Sequence, residues 1–399
     1  MDKRQVIAIA FPRPEKSALW TRDFVLVTIL NVLLFLGMQT QLAALPVYLK
    51  LLSGSDSVVG LAIALGTCAA LVARPIAGYV ADRFGRAPVL FLGLVVMMAA
   101  MFSYSWFSAV WVIVLIRSVN GFFWGIATTT SNTVATDIIP AERLGEGMGF
   151  FSLSQSVSMA LAPAIGLAIM EAFGYRNMTL FAAGLLLAAC LPAALVRYRP
   201  VQRTTRKRQF VPFEKSAIRP SLLMIFIGIP LGSALSFSAL YGAALNIGNG
   251  ALFLTCFAIA MFVSRPISGR LIDRYGFHKI IYPGFAAYVL SMALLSSVGN
   301  LAAFLAVAFL QGVAYGMVQN ALQTMSLKHV PPDRRGAANA TFFTCFDFGI
   351  GMGNLLAGLL ATAIGYANMY RSMILPLLVG ILLYYLLLGR KKKIGTTDE

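Results

Sequence analysis

The chain has 399 residues, of which 59% are hydrophobic and only 12% are charged, and its formal net charge is +17. A soluble globular protein carries roughly twice that charged fraction, so the composition excludes a chain of soluble domains and predicts a polytopic membrane protein. The basic residues lie in short connectors between apolar runs, a pattern that excludes nucleic acid as the expected partner of the positive charge.

The elements that follow in chain order are apolar runs of about 20 residues, the length at which a helix crosses a hydrocarbon core roughly 30 Å thick. Lipid cannot hydrogen-bond exposed backbone groups, so these runs are predicted to be helices. Residues 1–22 precede them as a cytosolic lead-in, because their apolar run is too broken for a signal peptide. The predicted spans cover residues 24–49, 57–80, 88–108, 109–136, 146–170, 178–197, 220–245, 251–272, 279–298, 301–327, 339–364 and 370–389.

The lysines and arginines of the connectors indicate how these spans are oriented. With the N-terminus in the cytosol, about 26 of the 32 basic residues fall in cytosolic segments. The sequence therefore predicts a multi-pass protein of the inner (cytoplasmic) membrane, with both termini in the cytosol. Its basic residues are expected to lie next to the headgroups of anionic lipids.

A sequence repeat relates the two halves of the chain. "RPIAGYVADRFGR" at 74–86 and "RPISGRLIDRYGF" at 265–277 share the pattern R-P-I-x-G-x-x-x-D-R-[FY]-G at an offset of 191 residues. The same offset relates "PAERLGEG" at 140–147 to "PPDRRGAA" at 331–338. Each half is therefore one unit of six spans, an architecture that places a substrate site at the interface between the halves.

The predicted fold is all-α, with twelve transmembrane helices in two pseudo-symmetric six-helix bundles. The N-terminal bundle covers residues 23–198 and the C-terminal bundle covers residues 220–389. A basic cytosolic linker at 199–219 joins them, and a cytosolic tail at 390–399 follows.

Three stretches resemble signatures of the major facilitator superfamily, and in particular of its 12-helix drug or metabolite:proton antiporter branch. "GYVADRFGR" at 78–86 looks like the loop 2–3 signature, and "RSVNG" at 117–121 resembles the span-4 motif. "GFFSLSQSVSMALAPAIG" at 149–166 resembles the span-5 antiporter motif, with Ser158 and Ala162 where glycines are usual. The resemblance implies a secondary transporter that works by alternating access.

The resemblance also implies a latch that closes the cytosolic ends of the two halves, with a plain topology anchor as the alternative. Asp82 can accept hydrogen bonds from the free amides at a neighbouring helix N-terminus, where the dipole favours a carboxylate. Arg86 is expected to pair with Asp137, and the second copy of the turn should be weaker because Phe277 replaces its final arginine. The predicted latch residues are Arg74, Gly78, Asp82, Arg83, Gly85, Arg86, Asp137, Asp273 and Arg274.

Polar and aromatic residues recur every four residues in spans 1, 4 and 10, so they share one face of each helix. Because polar groups are costly against lipid, these faces must meet protein or water. We expect them to line the substrate cavity, with helix packing by the amides as the alternative. The mixture suits a neutral or amphipathic organic solute. The predicted cavity residues are Asn31, Phe35, Gln39, Asn120, Trp124, Thr128, Asn132, Gln311, Tyr315, Gln319 and Gln323.

Four charged residues lie within the spans, namely Arg74, Arg117, Arg265 and Asp347. Each costs about 2.5–3.5 kcal/mol near the middle of the membrane, so each needs a partner or a function. In the superfamily span 11 packs beside span 2, so Asp347 is expected to pair with Arg74. The alternative is that Asp347 couples transport to protons. The two roles overlap, because protonation of Asp347 would release its ion pair with Arg74.

The resemblance implies a coupling role for Arg117, which has no acid in its own span. The alternative is that Arg117 attracts an anionic substrate. Many exporters of the superfamily carry an acid in span 1, where this chain has Asn31 and Gln39.

The predicted function is secondary active transport, with proton-coupled efflux of drugs or metabolites as the first hypothesis. The P-loop pattern G-x-x-x-x-G-K-[ST] is absent from the sequence, so a proton gradient is the expected energy source. The alternative is a carrier of organic anions or metabolites that uses Arg117, and this carrier could work as an importer. The expected partners are a small-molecule substrate and the lipid bilayer, and the chain is expected to act as a monomer.

A membrane-embedded enzyme or sensor is the remote alternative. His278 and His329 lie in separate loops without H-E-x-x-H spacing, and the four cysteines occur singly without C-x-x-C spacing. We therefore predict no enzymatic activity, no metal site and no cofactor.

Overall fold

The computed structural model describes residues 18–199, 212–247, 250 and 252–389, and these residues form helices joined by short turns. Most of the predicted lead-in, residues 200–211 of the predicted linker and the predicted tail lie outside the described residues. The helices are α1 Arg22–Ser53, α2 Asp56–Phe84, α3 Arg86–Ser103, α4 Val110–Ile138, α5 Leu144–Phe151, α6 Leu153–Leu195, α7 Lys215–Ala244, α8 Leu252–Tyr275, α9 His278–Leu295, α10 Leu301–Leu327, α11 Arg335–Ser372 and α12 Ile374–Tyr384.

Ten helical stretches in the described part of the chain are long and apolar enough to cross a membrane. Two of them, Ala141–Leu195 and Pro332–Leu388, contain 55 and 57 residues. A helix of that length would extend for about 80 Å, so each stretch is long enough for two crossings. Both are broken at a glycine, Gly174 with φ 82° and Gly365 with φ 79°, in the left-handed region that favours glycine. The twelve predicted spans fit this arrangement.

The two glycine kinks belong to the repeat, because Gly174 and Gly365 are 191 residues apart. The sequences that follow are "GYRN" and "GYAN", and in both the asparagine bonds back to the preceding helix. Asn177 donates to the carbonyl of Phe173 at 2.8 Å, and Asn368 donates to the carbonyl of Ile364 at 3.1 Å. The duplicated halves therefore turn in the same way between their fifth and sixth crossings.

Helix α7 begins at Lys215, within the stretch that we predicted as linker. Its start is set by a cap, because the Glu214 carboxylate accepts a hydrogen bond from the backbone of Ser216 at 3.3 Å. Hydrophobicity alone locates the part of a helix that lies in lipid, so it missed this polar first turn.

The buried apolar side chains form two large clusters, one centred in each half of the molecule, and the first also includes Leu327 and Val330 of the C-terminal half. The first includes Phe24, Met97 and Phe151, and the second includes Phe285 and Tyr370. Within each half, small residues bring helices close together. These two packed bundles are the bodies between which a site can form.

The halves contact each other at the end of the molecule that carries the turns at 85, 139–143, 276–277 and 328–334. We call this the basic end. There α2 meets α11, and α5 meets α8. A Cβ at Gly78 would lie 2.6 Å from the carbonyl oxygen of Gly336, so only glycine allows this approach. The hydrogen bonds and ion pairs that join the two halves lie towards the basic end. The basic end is therefore closed in this conformation.

Candidate functional site

The first turn of the repeat closes the basic end through Asp82. Its carboxylate accepts hydrogen bonds from the backbone amides of Gly336 at 3.0 Å and Ala337 at 2.9 Å, in the first turn of α11. A carboxylate at this position is favoured by the free amides and by the helix dipole. Arg86 lies 3.0 Å from the same carboxylate and donates to Asp137 at 3.1 Å. The N-terminal half thus holds the start of α11 with an acid that its own arginine supports.

Asp137 extends this contact because it lies between guanidinium groups from both halves. Arg335, at the start of α11, donates to Asp137 at 3.2 Å, on the oxygen that Arg86 does not use. Arg86 also donates to the carbonyl of Pro332 at 2.6 Å. The α2–α3 turn, the end of α4 and the start of α11 are therefore joined in one buried network.

The second turn of the repeat makes the equivalent contact, but different charged residues form the ion pairs beside it. Asp273 accepts hydrogen bonds from the amides of Gly145 at 3.0 Å and Glu146 at 2.8 Å, at the start of α5. Here Glu146 is the ionic centre, with Arg270 at 2.8 Å and Arg143 at 2.7 Å. Sequence reasoning missed these three side chains as site residues, although two of them lie in the repeated stretch at 140–147.

The remaining residues of the predicted latch have separate positions. Gly85, with φ 102°, forms the turn between α2 and α3, where a side chain would be strained. Arg83 donates to the Tyr79 hydroxyl at 2.5 Å, and Arg274 lies 5.1 Å from the Tyr275 ring. The described contacts of both arginines are thus with their own helices, which places them outside the contact between the halves.

A buried ion pair between Arg74 and Asp347 joins the halves above these turns. Arg74 Nε donates to Asp347 Oδ2 at 2.6 Å, and the two side chains are 4% and 15% exposed. The guanidinium also donates to Thr128 at 3.2 Å and Thr129 at 3.3 Å, and it lies 4.8 Å from the Phe343 ring. The two residues lie together, as we expected from the sequence, and the carboxylate retains some access to solvent.

Arg265 occupies the position equivalent to Arg74 and makes no ion pair with a described acid. It is 0% exposed, and its guanidinium donates to Ser156 at 2.9 Å, Gln319 at 2.6 Å and Gln155 at 3.1 Å. Ser156 stands 191 residues before Asp347, so it occupies the equivalent place in the other half. The repeat therefore has a charged pair on one side of the interface and a neutral set of acceptors on the other.

The polar faces of α4 and α10 meet at the basic side of the interface. Gln323 Nε2 donates to Asn132 Oδ1 at 3.1 Å. One turn further from the basic end, Thr128 accepts from Arg74, and its counterpart Gln319 accepts from Arg265. These four predicted cavity residues are therefore buried at the contact between the halves in this conformation, and we call this layer the floor.

Other predicted cavity residues are buried inside a half. Asn31 donates to Ser154 at 2.6 Å and accepts from Ser131 at 3.0 Å, so its amide joins α1, α4 and α6. Asn120 and Gln311 are fully buried, as is Tyr315. The bonds of Asn31 fit the helix-packing alternative, whereas both amide atoms of Asn120 are buried without a hydrogen-bond partner among the described residues.

Two predicted cavity residues, Trp124 and Gln39, are less buried than the others, and Phe35 packs beside Trp124. Trp124 is half-buried, and its ring lies 4.7 Å from that of Phe35 in an edge-to-face arrangement. Gln39, one turn along α1 from Phe35, is also half-buried. Trp124 and Gln39 are thus less buried than the other predicted cavity residues, whereas Phe35 is buried against the Trp124 ring.

Arg117 lies within the N-terminal half, 5% exposed, and no described carboxylate pairs with it. A Cβ at Gly66 would lie 2.5 Å from its Cζ, so the guanidinium packs against the backbone of α2. The residues described by the structure include no group of three or more His, Cys, Asp or Glu side chains placed to hold a metal ion.

Comparison with known proteins finds a matching family model and several related proteins. The Major Facilitator Superfamily model matches residues 27–252 and 221–398. The staphylopine export protein of Staphylococcus aureus strain Mu50 is 25% identical over 343 residues, covering 80% of this chain and 84% of that protein. The quinolone resistance protein NorA of Staphylococcus aureus strain MRSA252 is 23% identical over 345 residues, covering 82% of this chain and 87% of NorA.

Solved structures share the fold. The human organic anion transporter MFSD10 (TETRAN) superposes with a TM-score of 0.78 at 15% identity, covering 91% of this chain and 98% of that one. A bacterial homologue of the iron transporter ferroportin, in its outward-facing state, superposes with a TM-score of 0.76 at 13% identity, covering 93% of this chain and 100% of that one. The family match spans both halves of the sequence, and the chain belongs to the Major Facilitator Superfamily of membrane transporters.

Proposed function

We propose that this chain is a proton-coupled exporter of small organic compounds that works by alternating access. The observation that carries the proposal is the 2.6 Å ion pair between Arg74 and Asp347, which joins the two halves and includes a partly accessible carboxylate. The names of two relatives, a staphylopine export protein and a quinolone resistance protein, support the outward direction of transport.

In the proposed cycle, the basic end faces the cytosol of a cell bounded by the cytoplasmic membrane, with both termini on that side. The orientation rests on the distribution of lysine and arginine along the chain. The described conformation then has its cytosolic end closed and faces outwards.

A proton that enters from the outside neutralises Asp347 and leaves the buried Arg74 without its counter-charge. Breaking a buried pair in this way costs about 3–5 kcal/mol, which is enough to shift a two-state equilibrium between conformations. The α2–α11 contact separates, and the cytosolic end opens. Proton release to the cytosol restores the pair, and the loaded transporter then returns to the outward-facing state.

The solute is proposed to bind above the floor formed by Asn132 and Gln323. Trp124 and Phe35 offer a rigid aromatic surface there, and Gln39 offers a hydrogen-bonding group. Such a surface suits a flat or amphipathic organic compound.

The proposal is tested in proteoliposomes that contain a pH-sensitive dye. Candidate solutes are first selected by thermal-shift screening of quinolones, other antibiotics, sugars and organic acids. We expect solute-driven proton movement with the wild type, none with Asp347→Asn, and partial movement with Asp347→Glu. Glu171→Gln is the matched control, because this exposed carboxylate lies away from the interface. Wild-type proton movement in Asp347→Asn would contradict the proposal.

A further inference from the structure

A second set of buried polar groups lies inside the N-terminal half, apart from the closing contacts. It is centred on Arg117, two turns into α4, and includes Tyr104 at the end of α3 and Gln41 in the second half of α1. Tyr175, directly after the glycine kink of α6, completes it. These positions place the cluster towards the end of the molecule opposite the basic end.

Arg117 carries a charge for which the described part of the chain offers no partner. Its Nε and Nη1 atoms are buried and have no hydrogen-bond partner among the described residues. The acids of the described ion pairs all bind other arginines. Removing a guanidinium from water without a counter-charge is strongly unfavourable, so this position favours an added negative charge.

The surrounding side chains supply a further donor and hold it in place. The hydroxyl of Tyr104 is buried and makes no hydrogen bond of normal geometry among the described residues, and the Gln41 amide and Arg117 both lie close enough to interact with it. The Gln41 amide lies beside Tyr104 and donates to the Tyr175 hydroxyl at 2.8 Å. The Tyr175 ring stacks on Tyr48 with 3.7 Å between ring centroids. Gln41 is thereby fixed, and its Oε1 atom is buried without a partner.

We propose that Arg117 and Tyr104 bind a compact monovalent anion within the N-terminal half. The guanidinium supplies the charge and the N–H donors of Nε and Nη1, and the Tyr104 hydroxyl supplies a further donor. The anion is a halide ion or the carboxylate of a solute.

The proposal does not depend on proton coupling at Asp347. As an inorganic ion, the anion would neutralise the interior of the half and stabilise the packing of α2, α3 and α4. As a carboxylate, it would make the transporter selective for anionic solutes. Arg117 and Tyr104 would bind the inorganic ion and the carboxylate in the same way.

The test measures thermal unfolding of the purified full-length chain at constant ionic strength, with sodium HEPES replaced stepwise by sodium chloride, sodium bromide or sodium formate. We expect a saturable rise of several degrees in Tm for the wild type. The rise should be lost in Arg117→Gln and kept in Arg371→Gln, which removes an exposed arginine. Tyr104→Phe removes one donor only and should raise the apparent Kd several-fold.

The two sources of the anion give different results. A response to halides identifies an inorganic ion, which bromide crystals would then show as an anomalous peak beside Arg117. A response to formate alone identifies a carboxylate. The proposal is overturned if the wild type shows no saturable response to any of these anions, or if Arg117→Gln responds as the wild type does.

Discussion

Gln323 and Asn132 occupy equivalent positions of the repeat, 191 residues apart, and they bind each other across the interface at 3.1 Å. Two equivalent residues can meet only near the axis that relates the halves. This hydrogen bond therefore marks the pseudo-twofold axis at the floor of the space between them. Movement of one half against the other must break it or turn about it.

Gln323→Leu is expected to favour opening of the basic end. The change leaves the buried Asn132 oxygen without its donor, which costs about 1–3 kcal/mol in the closed state. The distance between spin labels at two exposed positions of the basic end, Phe84 and Tyr275, measures the effect in a background without native cysteines. We expect a larger fraction of long distances than in the parent protein. An unchanged distance distribution would remove this hydrogen bond from the closing contacts.

The two turns of the repeat should differ in strength. Asp82 is supported by Arg86 at 3.0 Å, whereas the described partners of Asp273 are the two amides at the start of α5. Asp82→Asn should therefore leave the protein inserted but reduce transport strongly, and Asp273→Asn should reduce it less. Solute uptake into inverted vesicles, normalised to the amount of protein, measures both. Wild-type turnover in Asp82→Asn would contradict the latch.

The neutral side of the interface offers a gain-of-contact variant. Ser156→Asp places an acid opposite Arg265, at the position equivalent to Asp347. Because it gives a buried guanidinium a counter-charge, it should stabilise the closed basic end by about 1–3 kcal/mol and slow transport. Spin-label distances at the basic end measure the stabilisation of the closed state, and solute transport in proteoliposomes measures the slowing; unchanged distances and wild-type transport would contradict the prediction.

A double variant tests whether the pair can move to the other half. Ser156→Asp combined with Asp347→Ser exchanges the acid across the repeat. If the two sides are mechanically equivalent, the double variant should recover proton-coupled transport that Asp347→Ser alone loses. Transport that stays at the level of Asp347→Ser would show that the sides are not equivalent.

Close backbone contact at the basic end can be tested with small substitutions. A Cβ at Gly78 would lie 2.6 Å from the carbonyl oxygen of Gly336, so Gly78→Ala must push α2 away from α11. We expect a destabilisation of the closed state by about 1–3 kcal/mol. Gly60→Ala is the matched control in the same helix, because no atom lies within 4 Å of its added Cβ. Equal spin-label distances in the two variants would contradict tight packing at Gly78.

Much of the fold could be predicted because its signals are local. The length of the apolar runs determines where the chain can cross a membrane, and a constant offset of 191 residues reveals the duplication. The kinks at Gly174 and Gly365 follow the same offset, and the repeated G-Y-x-N sequence was a signal for them. Helix α7 begins five residues before the predicted span, since a polar first turn has no hydrophobic signature.

The site was less accessible to sequence reasoning because its contacts join distant segments. Arg270 and Glu146 are separated by 124 residues, and only the docking of α8 on α5 brings them together. The periodicity of Asn31 places it on a polar face but does not say whether that face meets a cavity or a neighbouring serine. Asp347 and Arg74 were paired correctly because the family resemblance brings spans 2 and 11 together.

In the proposed cycle, protonation of Asp347 opens the basic end, and the distance between spin labels at positions 84 and 275 reports this opening. Asp347→Asn keeps the shape of the side chain without its charge. We expect acidification to lengthen the distance in the parent protein, and we expect the variant to show the long distance at every pH. Identical distributions in the parent protein and Asp347→Asn across the pH range would contradict it.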